Sequence, residues 1–263
     1  MLTKMVSFDF PVTQYFNSVK YQPAGQNLHS RSNTVKYYYL SVYFDMPKFD
    51  HILRPEVIKR LDSVIRYSSI PVAHHESVAQ HSYWVTIYTL LIHKTIGGED
   101  RLTKDLLITA LIHDLQETKS GDIVRTHKYS SDSLKKELDK AEELIVESFP
   151  QEIRDLFKKP FDVTYDDGLY IKDVVKAADF VSLFHYMRKE AAMHNMEIVP
   201  FYYRMIVDLS DMCDKMRAKF ETSSMPYHSH LHRLYGLMIE DAKKVAFDCF
   251  GDVFKDPYWN HEI

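Results

Sequence analysis

The stretch from Gly168 to His194 constrains this chain most. It repeats apolar residues at helical spacing over a length that no ordinary strand reaches. A single carboxylate, Asp179, stands among Val174, Val175, Ala178, Phe180, Val181 and Leu183. Such a segment is a helix buried inside a helical domain. A buried aspartate without a partner costs several kcal/mol, so Asp179 should be paired or bound to a metal. Pairing with Lys176 or Arg188 on a solvated face is the plainer alternative, and the apolar neighbours argue against it.

The helical pattern starts at Pro55, a residue suited to a first helical turn, and runs to Ile65. Ser77 to Ile96 follows, ended by Gly97-Gly98, and then Arg101 to Gln116, Asp132 to Ser148 with Pro150 closing it, Phe201 to Phe220 and Leu231 to Phe250. The expected fold is all-α, with residues 51 to 263 as one helical domain. Residues 1 to 50 read differently. Phe8-Asp-Phe-Pro11, Tyr21-Gln-Pro-Ala-Gly25 and the aromatic run Val35 to Phe44 suggest an N-terminal extension of irregular structure with a short β segment. Its aromatics are expected to pack on the helical domain; a dimerisation arm or part of a lid is the alternative.

Composition removes several function classes. With 7 glycines in the whole chain, and neither GxGxxG nor a Walker-type motif, a glycine-rich phosphate loop is excluded. A formal charge of −4 gives no reason to expect nucleic acid or a membrane surface as partner. Cys213 and Cys249 alone imply no disulfide framework. The N-terminus lacks a basic region followed by an apolar core, and no apolar run reaches membrane-spanning length. The expectation is a cytoplasmic protein.

The chemistry concentrates around His113-Asp114, which ends an apolar helical run and opens into Leu-Gln-Glu-Thr-Lys-Ser-Gly-Asp122. An adjacent imidazole and carboxylate can serve one first-row metal. Glu117, three and four residues beyond the pair, is expected on the same helical face and is a candidate base for the attacking water. His81 lies near one face of the second helix with Tyr88, Leu91 and Ile92. Arg66 offers a planar fork for phosphate oxygens. Asp122 follows Ser120-Gly121, which ordinary turn formation explains nearly as well as function. His74-His75 and His228-Ser-His-Leu-His232 read as solvated loop residues, and His185 and His194 as structural or exposed.

The order His81, His113-Asp114, Asp179 resembles the HD-domain metal-dependent phosphohydrolases, in which these four residues bind one divalent metal. Arg66-Tyr67, Glu76-Ser-Val-Ala-Gln-His-Ser82 and His113-Asp-Leu-Gln-Glu-Thr-Lys-Ser-Gly-Asp122 are similar to the blocks of the YfbR-like 5'-deoxynucleotidase branch, over about residues 55 to 195. The resemblance implies an HD-domain helical bundle, a homodimer, and cobalt or manganese as supporting metal; ligand chemistry alone admits Co, Mn, Fe or Zn. It implies that Asp122 contacts the 3'-hydroxyl side of the deoxyribose, that the Tyr67 ring crowds the sugar and disfavours a 2'-hydroxyl, and that Lys128 binds phosphate, with Arg125 as its competitor. Gln80 stands where that branch usually has glutamate, a departure expected to alter a contact beside the metal histidine. Residues 1 to 50 and the C-terminal helices have no counterpart in it.

The function expected is metal-dependent hydrolysis of deoxyribonucleoside 5'-monophosphates. Arg66, Asp122 and the base Glu117 form the catalytic set, and Arg66, Tyr67, Asp122 and Lys128 the substrate contacts. One alternative is a deoxynucleoside triphosphate triphosphohydrolase, for which Lys119 and Arg125 could supply further cations. The other is a non-catalytic nucleotide-binding protein on a degenerate HD fold, which the intact ligand set and Glu117 argue against.

Overall fold

Ser77 starts the first long helix with a reciprocal cap. Its hydroxyl accepts from the Gln80 N–H at 3.2 Å, and Gln80 Oε1 accepts from the Ser77 N–H at 2.9 Å, so two otherwise orphaned donors are satisfied at once. The helix ends as deliberately. Gly98 N–H bonds to His93 O at 2.8 Å and Gly97 N–H to Lys94 O at 3.3 Å, with Gly97 at φ +75°, the double bond of a Schellman end. A Cβ on Gly98 would lie 2.0 Å from His93 Nδ1 and 2.2 Å from the Tyr170 hydroxyl, so this close approach requires glycine.

The structure, a computed structural model, describes residues 56–122, 132–158, 164–222 and 225–251. All of them lie in the compact unit Asp50–Ile263. The expected N-terminal extension, with its β segment, lies outside the described residues. The helices are α1 Glu56–Ser63, α2 Val78–Thr95, α3 Thr103–Ile112, α4 Glu117–Ser120, α5 Asp132–Glu147, α6 Gln151–Lys158, α7 Tyr165–Ala192, α8 Val199–Thr222 and α9 Tyr227–Phe250. Among the described residues there is no strand, only one antiparallel bridge between Ile65 and Ser77. None of these helices is long and apolar enough to cross a membrane.

Helix α7 is the axis of the core, as its sequence predicts. It buries Val174, Ala177, Ala178, Phe180, Phe184, Met187 and Ala191, and α2, α3, α8 and α9 pack around it. Helices α8 and α9 form a long paired unit, tied by the buried Tyr202 hydroxyl donating to Ala242 O at 3.2 Å. A smaller cluster of Leu61, Val78, Leu115, Ile145 and Val146 joins α1 and α5 to the turn after α3. Burial of such side chains at roughly 25 cal/mol per Å² is the main force holding the bundle together.

Four expectations need correction. The run expected from Arg101 to Gln116 is broken into a 3₁₀ turn at Asp100–Leu102, α3, and a tight turn through His113–Gln116 before α4. Glu117 therefore does not share a continuous helical face with His113. Pro150 closes α5 but also opens α6: its carbonyl accepts from the N–H groups of Ile153 and Arg154 at 3.0 and 2.9 Å. Leu91 is 56% exposed, so it leaves the buried face of α2 that carries His81. The histidines of 228–232 sit on α9 and not in a loop. His228 is buried with Nε2 3.5 Å from Asp173 Oδ2, and His232 Nδ1 lies 3.1 Å from Cys213 Sγ.

Candidate metal centre and phosphate corner

Three elements bring the ligand-type residues together. His81 faces inward from the first turns of α2, His113 caps the end of α3, and Asp179 lies midway along α7. Each offers one ligand atom, and the three atoms lie within 4.8 Å of one another. His81 Nε2 is 3.2 Å from Asp179 Oδ1 and 3.7 Å from Asp114 Oδ2. Asp114 Oδ2 is also 3.0 Å from His113 Nε2. A divalent ion with bonds of ~2.1 Å draws its ligand atoms to about 4 Å or less apart, a small contraction from this arrangement.

The outward hydrogen bonds prepare these rings for ligation. His113 Nδ1 lies 2.8 Å from Ala110 O, an acceptor only, so Nδ1 carries a proton and Nε2 is the nitrogen turned to the centre. His81 Nδ1 lies 3.0 Å from Ser182 Oγ and 2.9 Å from Arg66 Nη1. The charges converge too. Burial pulls the His113 imidazole down, but the Asp114 carboxylate outweighs it and pushes the pKa up to about 9. Burial would raise Asp179, yet Lys176 and His81 hold it well below the usual carboxylate range. Asp114 is likewise held low by His113 against its burial. Two half-buried carboxylates that stay ionised beside two imidazoles form a nitrogen–oxygen donor set fit for a first-row divalent metal.

Lys176 Nζ donates to Asp179 Oδ2 at 2.6 Å. The plainer sequence reading of Asp179, a pair with Lys176, thus coexists with its contact to His81: each carboxylate oxygen serves one partner.

Beside this centre the chain turns a corner at Arg66-Tyr67. Arg66 Nη1 donates to Glu76 Oε2 at 2.7 Å, and Nη2 donates to the Tyr67 hydroxyl at 3.3 Å. Burial opposes the guanidinium charge, but Tyr67 and Glu76 more than restore it, and Arg66 stays charged. Tyr67 has φ +57°, a left-handed conformation costly for a residue with a side chain. Its N–H donates to Asp122 Oδ2 at 2.7 Å, which holds that conformation. Asp122 follows Gly121 at φ +70°, so the turn that sequence reasoning weighed against function serves to bring the carboxylate to this corner.

Of the residues expected at the site, His81, His113, Asp114, Asp179, Arg66, Tyr67 and Asp122 are joined by these contacts. Glu117 opens α4, is buried, and bonds through its N–H to Asp114 O at 3.0 Å. Lys119 is exposed on α4. Lys128 and Arg125 lie outside the described residues. Sequence reasoning did not single out Glu76, Ser182 or Lys176 as parts of the site. The signal for Ser182 was available: it lies one helical turn beyond Asp179 and shares its face.

The profile of the family described as 5'-deoxynucleotidase YfbR-like matches residues 55–227. The chain belongs to this family. It is similar to a 5'-deoxynucleotidase of Vibrio vulnificus, 25% identical over 171 residues that cover 62% of this chain and 84% of that one. A 5'-deoxynucleotidase of Vibrio cholerae is 26% identical over 186 residues, covering 68% of this chain and 92% of the relative. Among solved structures, an HD-domain phosphohydrolase from Listeria innocua is 22% identical with a TM-score of 0.48, over 74% of this chain and 95% of that one. The family match reaches further along the chain than the resemblance read from the motifs, into the start of α9. Within the family pattern, Gln80 is the capping partner of Ser77, a role that glutamate and glutamine fill alike.

Proposed function

We propose that this YfbR-like protein hydrolyses deoxyribonucleoside 5'-monophosphates to deoxynucleoside and inorganic phosphate, using one divalent metal held by His81, His113, Asp114 and Asp179. The observation that carries the reading is Arg66, a charged guanidinium 2.9 Å from a histidine of the ligand cluster. A partly buried cation beside a divalent metal site suits a dianionic phosphate monoester. The 5'-deoxynucleotidases to which the chain is similar support the substrate class.

When bound, the metal supplies Lewis acidity for transfer of the phosphoryl group to water. The remaining roles fall to the protein. With Nε2 given to a metal, His81 would carry its proton on Nδ1, with Ser182 Oγ as acceptor; that tautomer would withdraw the lone pair Arg66 now uses and leave one Nη1 hydrogen for a phosphate oxygen, the other staying on Glu76. Glu76 keeps the guanidinium in place meanwhile. Glu117 accepts the proton of the attacking water. The Tyr67 ring crowds the sugar and rejects a 2'-hydroxyl, Asp122 fixes Tyr67 from behind and serves the 3'-hydroxyl side, and Lys128 adds a second phosphate cation. Burial, with Arg66 opposing it, lifts the Tyr67 phenol to about 12, so it stays neutral in this role. The reading includes residues 51–263 as one catalytic domain, cobalt or manganese as the working metal, a homodimer, and a reducing cytoplasm in which Cys213 and Cys249 remain free thiols.

The test is a panel of dNMPs, NMPs and dNTPs assayed with several divalent metals. Orthophosphate released from dNMPs well above NMPs is expected. Preferential release of tripolyphosphate from dATP would replace this reading by a triphosphohydrolase.

A further inference from the structure

Tyr186 lies on α7 beyond Asp179, on the far side of Ser182 and outside the residues the proposed chemistry requires. It is buried, its ring stacks on Tyr67 with centroids 5.1 Å apart and planes at 19°, and its hydroxyl donates to His74 O at 2.8 Å. The backbone of the corner is fixed by other groups. Asp122 holds the Tyr67 N–H, and Glu190, one turn past Tyr186, accepts from the N–H groups of Ala73 and His74 at 2.8 and 2.7 Å. Those bonds place the Cα of Tyr67 but leave its two side-chain torsions open. The ring itself is touched by the Arg66 guanidinium at 5.1 Å and by the Tyr186 ring. Arg66 must also engage phosphate, so Tyr186 is the ring contact that the proposed chemistry leaves in place.

We propose that Tyr186 is a specificity-determining positioning residue: by stacking on Tyr67 it holds that ring in the one orientation that excludes a 2'-hydroxyl. The proposal rests on the reading of Tyr67 as the residue facing the sugar. Offset stacking is a property of the two ring faces, so the phenolic oxygen of Tyr186 is dispensable for it while the ring is not. With the ring gone, Tyr67 rotates among its rotamers and ribonucleotides enter.

The experiment measures kcat/KM on dAMP and AMP for the wild type, Tyr67→Ala, Tyr186→Phe and Tyr186→Leu, with metal content and helical circular dichroism recorded for each. Tyr186→Phe is expected to retain the wild-type dAMP:AMP ratio. Tyr186→Leu is expected to lower it roughly tenfold, toward the value of Tyr67→Ala, with metal content unchanged, since rejection of one hydroxyl by shape is worth on the order of ten- to a hundredfold. A ratio that changes in Tyr67→Ala and not in Tyr186→Leu overturns the proposal and leaves the reading of Tyr67 standing. A ratio unchanged in Tyr67→Ala removes that reading and the proposal with it. An equal fall in Tyr186→Phe transfers the effect to the bond with His74 and overturns the stacking argument. If Tyr186→Leu does not fold, Tyr186→Met, which also lacks a ring, takes its place: a lowered ratio supports the proposal and a wild-type ratio overturns it.

Discussion

A buried imidazole ligates metal through whichever nitrogen its other hydrogen bond leaves bare, and His113 shows how local that choice is: the carbonyl that orients it belongs to Ala110, three residues earlier on α3. Replacing His113 or Asp114 by alanine is expected to abolish bound metal and hydrolysis while leaving the helical fold, as metal analysis beside circular dichroism would show. Full metal occupancy in both variants would refute the ligand assignment. Glu117 should part company with them. Glu117→Ala is expected to keep the metal and lose about 10²-fold or more in kcat, and a turnover equal to wild type would take it out of the mechanism. The ligand set was legible in the sequence because carboxylates and histidines ending or interrupting apolar helices have few cheap explanations. Glu76 was not, because its bond to Arg66 depends on the Ile65–Ser77 bridge folding one segment back on another.

Elements were more legible in their existence than in their ends. Helix α2 was bounded correctly to within a residue because Ser77 and Gly97 carry explicit start and stop chemistry. Helix α3 was overextended, since an apolar run gives no notice that the backbone tightens into turns at His113. Helix α6 was missed because Pro150 reads as an ending, whereas a proline carbonyl can accept the first bonds of the next helix. Gln80 belongs to this scale as well. As the partner in the Ser77 cap, Gln80→Glu should leave both metal affinity and stability near wild type, while Gln80→Ala should cost about 1 kcal/mol in urea unfolding. A loss of metal in either variant would return Gln80 to the metal site.

Across the molecule, histidines buried far from the metal centre tie the fold to pH. His93 is buried between the Tyr170 hydroxyl and Thr103 Oγ1, and burial together with Lys94 holds its pKa below 6.5. Burial also holds His228 below 6.5, with Asp173 opposing. As pH falls past 6.5 the unfolded chain takes up these protons and the native chain does not yet, so their contribution is intact above 6.5 and drains away below it. The urea midpoint should fall as pH drops below 6.5, less steeply in His93→Gln. An unchanged midpoint over that range would contradict it. The carboxylate of Glu190 has a different reach. Ala73 and His74 are exposed side chains on a connecting segment, yet their N–H groups end on a fully buried oxygen pair three helical turns past Asp179. Deuterium should therefore enter those two amides as slowly as it enters the middle of α7, and a surface loop of this protein should keep time with its deepest helix.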